Sequence, residues 1–223
     1  EFDCAINVKK SSVVDSISEG LLYRCAIESP TAFSIHLVFN KFHIPIGAKL
    51  FLYDESSEQI LGAFTSNNNK ESHVFAVAPI FSDRIIIEYF EPYYAEFDGV
   101  VEVGQVYHGY IDISEDIINS LDGTCEVDIN CSEGDNWQTE KKAVCRIIFG
   151  NGTCSGALIN NTNYDGTPYF LTANHCISTE KYAHICIFYF NFENEYCGRQ
   201  SIASVQTLSG ATLKATSTNT DFT

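Results

Sequence analysis

Basic residues are scarce. Against 29 Asp and Glu stand only 13 Lys and Arg, a formal charge of -16, and a field of that sign repels phosphate backbones and anionic lipid surfaces. Nucleic acid is therefore not an expected partner. No apolar run approaches the roughly 18 residues that cross a bilayer as a helix, so no membrane span is expected. Methionine is absent, and the chain opens Glu1-Phe2-Asp3-Cys4 with no apolar signal core, which reads as a mature protein or a fragment. Sustained helical periodicity is missing too. Among the nine cysteines there is no Cys-x-x-Cys pair and no His/Cys spacing of a zinc site. Disulfides in an oxidising compartment are the better reading, so a secreted protein, extracellular or periplasmic, is expected, with no metal and no cofactor.

The 223 residues are 45% hydrophobic, with 12 Tyr and 16 Phe. That is a globular composition, long enough for one large or two small domains at roughly 150 residues each. From Thr31 to Tyr110 short apolar runs alternate with turn residues. Phe33, Ile35, Leu37 and Phe39 alternate with Ser34, His36 and Val38, the period of a strand with one buried face. Further strands are expected at Ala48–Tyr53, Gln59–Phe64, His73–Ala78, Arg84–Phe90 and Val100–Ile113. Their spacing and turn signals predict a jelly-roll-like β-sandwich over residues 1–113. The first thirty residues carry no clear pattern. Cys4 and Cys25 either staple that arm to itself or tie it to the sandwich.

Between Arg84 and Lys141 there is no Lys or Arg, while fourteen carboxylates from Glu88 to Glu140 lie inside the interval. The run reads as solvated surface; it lacks the oxygen-ligand spacing of a calcium loop. A linker is expected at 114–123, ahead of a cysteine-rich second domain at 124–223.

The second domain holds the chemistry. Cys154-Ser155-Gly156-Ala157-Leu158-Ile159 is followed by a turn at Asp165-Gly166-Thr167-Pro168 and then by Tyr169-Phe170-Leu171-Thr172-Ala173-Asn174-His175-Cys176. A His at the end of an apolar strand, beside small Ala173 and a Cys, is a side chain held at a rim. A general base needs such a setting. His36, His43, His73, His108 and His184 have none, and read as surface or strand-face residues.

Taken with Cys125-Glu126-Val127-Asp128-Ile129-Asn130-Cys131 upstream and Ser209 to Thr216 and Asp221-Phe222-Thr223 downstream, these segments stand in the order of a known family. The chain resembles the trypsin/chymotrypsin-like serine proteases, and within them most of all the bacterial lysyl endopeptidases. The resemblance implies the first β-barrel of such a protease, an all-β fold throughout, and peptide-bond hydrolysis through a Ser-His-Asp triad. It matches His175 to the general base and Asp221 to the acid that orients it. It also implies disulfides Cys154–Cys176 and Cys131–Cys197, leaving Cys125 to pair elsewhere. Cys145 and Cys186 either bridge neighbouring strands or are buried thiols, and the single Trp137 is expected to pack the chain entry onto the barrel.

One departure matters. No Gly-x-Ser-Gly nucleophile segment occurs in the sequence, so these 223 residues by themselves are expected to be inactive. The expected substrates are proteins or peptides, with Lys specificity only as far as the resemblance carries it. A non-catalytic, protease-like binding or adhesion protein is the alternative. The sandwich reads as a pro-domain or an accessory module; an enzyme cutting after Lys could not free itself near Cys125, where no basic residue stands.

Overall fold

The computed structural model describes residues 1–110, 127–150, 152–198 and 205–223. It is nearly all-β, with three antiparallel sheets. The chain divides into two compact units, Glu1–Asp112 and Ile113–Thr223. The expected linker at 114–123 and Cys125 lie outside the described residues.

The first unit contains β1 (Phe2–Asn7), a single helical turn α1 (Val8–Ser11), β2 (Val13–Ile17), β3 (Gly20–Glu28), β4 (Ser34–His43), β5 (Lys49–Asp54), β6 (Ile60–Phe64), β7 (Phe75–Ala76), β8 (Arg84–Pro92) and β9 (Val100–Gly109). They form one sheet in the order β1-β9-β4-β7 and another in the order β2-β3-β8-β5-β6. Side chains of both sheets share a core: Leu37, Phe39 and Val103 from the first, Leu50, Leu52, Ile87 and Tyr89 from the second. Along β8 the period is two, with Ile85, Ile87 and Tyr89 buried between half-buried neighbours, as one buried face requires. Only β2–β3 and β5–β6 are both consecutive and paired; elsewhere the chain passes from sheet to sheet, the wrapped order expected of a jelly roll rather than a meander.

Several local expectations shift. The unpatterned first thirty residues supply three strands, because β1 pairs with β9, a partner about a hundred residues away that no local period reveals. The run at His73–Ala78 forms a strand only over Phe75–Ala76, and the strand expected to reach Ile113 is described to Gly109. Cys4 and Cys25 are both free thiols, half-buried against the core.

The acidic run is not all solvated surface. Glu91 is buried, and its carboxylate accepts from Lys9 Nζ at 2.7 Å, Tyr89 Oη at 2.6 Å and the Gly99 backbone N–H at 2.7 Å. These bonds tie α1, β8 and the turn before β9 together. Glu91→Gln keeps acceptors for Tyr89 and Gly99 but removes the charge facing Lys9. We expect it to cost about 2 kcal/mol in urea unfolding, the range of a hydrogen bond to a charged group; a loss no larger than that of a surface substitution would show the network to be incidental.

The second unit contains β10 (Val144–Phe149), β11 (Gly152–Ile159), β12 (Tyr169–Leu171), α2 (Glu180–Ile185), β13 (Ile187–Phe190) and β14 (Gln206–Ser209). Its sheet runs β12-β11-β10-β13-β14. Where a barrel is expected, the described residues show this five-stranded antiparallel sheet with β12 and β14 at its two ends. Ile147, Cys186 and Phe188 lie at its core, with Phe170 edge-on to Phe188 at 4.9 Å. Thr179 caps α2, accepting from the Tyr182 N–H, and Glu180 pairs with His184 one turn on at 2.9 Å. His184 thus sits on a helix, not a strand. Trp137, expected to pack the chain entry onto the barrel, is 58% exposed.

Candidate functional site

The His175 turn begins where β12 ends. Thr172 exchanges both backbone hydrogen bonds with Thr223 at 2.8 Å, so the last described residues continue the ladder on the edge of β12. The Thr172 hydroxyl donates to the Ser155 carbonyl at 2.9 Å and fixes the same point to β11. Gly156 lets the strands close up here: a Cβ on it would stand 2.5 Å from the Leu171 carbonyl oxygen. The chain then turns tightly, with the N–H groups of Cys176 and Ile177 both bonded to the Ala173 carbonyl. Cys176 is bridged to Cys154 on β11. The second disulfide joins Cys131 to Cys197. Beside it Lys141 donates to Asn130 Oδ1 and Glu193, both at 2.9 Å. Both bridges are those the resemblance implies, and Cys145 and Cys186 are buried free thiols.

Held this way, the His175 side chain projects outward, 71% exposed. Asp221 comes to it from a tight hairpin in which Ser217 and Phe222 exchange backbone bonds at 2.9 and 3.2 Å. Asp221 has φ +49°, the left-handed region that Asp tolerates better than most residues. Its carboxylate grips His175 twice: Oδ1 accepts from the backbone N–H at 2.9 Å, and Oδ2 lies 2.7 Å from Nδ1. The backbone bond and then the ring bond from His175 hold the Asp221 carboxyl below its ordinary range. An ionised carboxylate only accepts, so Nδ1 carries the proton and the Nε2 lone pair is free. That is the tautomer a general base needs.

The sulfurs of Cys154 and Cys176 and a ring nitrogen of His175 lie within 4.8 Å of one another. With both sulfurs engaged in the disulfide, only the imidazole remains as a donor, a poor set for a metal.

Three residues escaped the sequence reading although they lie in its motifs. Asn174 is buried and donates through Nδ2 to Thr216 Oγ1 at 2.6 Å, and Thr223 Oγ1 donates to the Ile177 carbonyl at 2.6 Å. Their signal is a polar side chain in a small apolar setting, which spacing alone does not separate from turn chemistry.

A tight turn pinned by a disulfide thus presents an imidazole whose tautomer is set by an Asp. Residues 120–223 match the lysyl endopeptidase C-terminal domain family. That stretch is thus similar to a protease family. It starts beyond the first unit, and it spans His175, Asp221 and both disulfides. The two bridges of this lysyl-endopeptidase-like segment are consistent with an extracellular protein. No helix among the described residues is long and apolar enough to cross a membrane.

Proposed function

We propose that the chain carries the base and acid of a secreted serine endopeptidase, with His175 as general base and Asp221 as the group that orients it. The serine, which has no motif in these 223 residues, is supplied by adjoining sequence. It attacks the scissile carbonyl while His175 takes its proton and passes it to the leaving amine; Asp221 holds the tautomer and stabilises the imidazolium. The observation that carries this reading is the double grip of Asp221 on the His175 backbone and ring. Cleavage after Lys is the specificity that the matched family's description brings with it. The sandwich is a pro-domain or a retained module.

Fluorophosphonate labelling of the full-length secreted protein tests the proposal, with His175→Ala as control and peptide mapping of the label. We expect one labelled serine outside residues 1–223, and no label in the variant. Absence of label after removal of any pro-segment would move the assignment to a protease-like binding protein.

A further inference from the structure

The polar side chains that flank His175 and Asp221 form a hydrogen-bond chain whose direction can be derived. Thr216 Oγ1 lies 2.6 Å from Asn174 Nδ2, 2.7 Å from Thr223 Oγ1 and 3.2 Å from the Phe222 carbonyl. Thr223 Oγ1 lies 2.6 Å from the Ile177 carbonyl. A hydroxyl has one proton to give and a carbonyl has none. Thr223 therefore donates to Ile177, and can only accept from Thr216. The single proton of Thr216 goes to Thr223 at 2.7 Å, the nearer of its two acceptors, rather than to the Phe222 carbonyl at 3.2 Å, so Thr216 must accept from Asn174. Turning the Asn174 amide over would set its oxygen against Thr216 and demand a second proton from that hydroxyl, so only one amide orientation satisfies the three shortest contacts.

The order is thus Asn174 N–H to Thr216 O–H to Thr223 O–H to Ile177 C=O. Both ends lie on the turn that carries His175, one residue before it and two after. The two hydroxyls belong to the segment that carries Asp221, on either side of the 217–222 hairpin. Neither hydroxyl touches the imidazole or the Asp221 carboxylate. The backbone pairing of Thr172 with Thr223 sets the height of the hairpin along β12, whereas this chain fixes its distance from the His175 turn.

We infer that Thr216 is a positioning residue, which holds the Asp221 carboxylate in register with His175 by bridging Asn174 to Thr223; the inference rests on the reading of that pair as the base and its orienting acid. Without the bridge the hairpin stays paired but is free to shift sideways, and a displacement near 1 Å in such a constellation costs up to about 10²-fold in rate.

Thr216→Val keeps the shape and removes both the proton and the acceptor, while Thr216→Ser keeps both. In the 223-residue chain, carbon-13 NMR of the Asp221 carboxyl and the Nδ1-bound proton of His175 report the pairing without any need for activity. We expect Thr216→Val to raise the Asp221 titration toward the ordinary carboxylate range and to lose the Nδ1 proton to exchange, and Thr216→Ser to restore both. Asn174→Ala, which removes the other end of the bridge, is expected to give the same signature should the Val variant fold poorly. In the full-length protein, Thr216→Val lowers kcat roughly 10- to 100-fold with KM unchanged. A wild-type Asp221 titration in both Thr216→Val and Asn174→Ala, or equal effects of Val and Ser, overturns the inference. The NMR signature in a full-length protein that cleaves nothing would uphold the positioning and overturn only the catalytic reading.

Discussion

In the full-length protein, His175→Ala is expected to lower kcat by several orders of magnitude while leaving the melting temperature nearly unchanged. Both halves follow from geometry. The side chain is largely exposed, and its one hydrogen bond is to a carboxylate that is itself half exposed, so its loss leaves no cavity and no buried orphan. The backbone N–H of residue 175 still donates to Asp221 Oδ1. Asp221→Asn is a sharper test. The Asn oxygen can keep the backbone bond at Oδ1, but its amide then faces Nδ1 with a donor and forces the proton to Nε2. We expect a fall of about 10⁴-fold in kcat, the cost of the wrong tautomer in such a triad, with little change in KM. A fall of ten degrees or more in melting temperature for His175→Ala would mark the residue as structural, and unchanged turnover would remove it from the mechanism.

The pattern of what the sequence discloses has physical causes. Strands β4, β5 and β8 are legible because each keeps an apolar face on one core. Even there the reading is incomplete: Ser34 to Phe39 are all buried, since the second face of β4 is covered as well and His36 stacks on Tyr107 of β9 at 5.0 Å. Phe33, counted to the buried face, is half exposed. Strand β2 shows no period because all five of its residues are exposed on an edge. Glu91 reads as one more solvated carboxylate because its charged partner Lys9 stands 82 residues away. The contact between His175 and Asp221 is signalled by the motif around His175 and by the place of Asp221 in the order. The Asn174–Thr216 link has no linear signature at all, because it is made by two turns meeting 42 residues apart.

Acid is expected to weaken the first unit through His36. Its imidazole is buried on β4, Nε2 has no hydrogen-bond partner, and burial pushes its pKa from 6.5 to about 4. The folded value lies below the unfolded one. Above pH 6.5 both states are neutral, and the group contributes no pH dependence. As pH falls from 6.5 toward 4 the unfolded chain takes up a proton that the folded chain refuses, and stability drops by about 1.4 kcal/mol per pH unit. The loss levels off near 3 kcal/mol once the folded state also protonates. The many carboxylates titrate over part of this window, so the quantity to measure is a difference. In His36→Phe the ring still stacks on Tyr107 and nothing titrates. Hydrogen exchange of the Ile35, Leu37 and Val38 amides, followed at pH 7 and pH 4.5, reads the stability of this unit from inside its own sheet. We expect the wild type to lose about 2 kcal/mol more than His36→Phe over that interval. Parallel losses in the two proteins would show that the pocket around His36 admits the charged ring, and that the acid response of the unit belongs to its carboxylates.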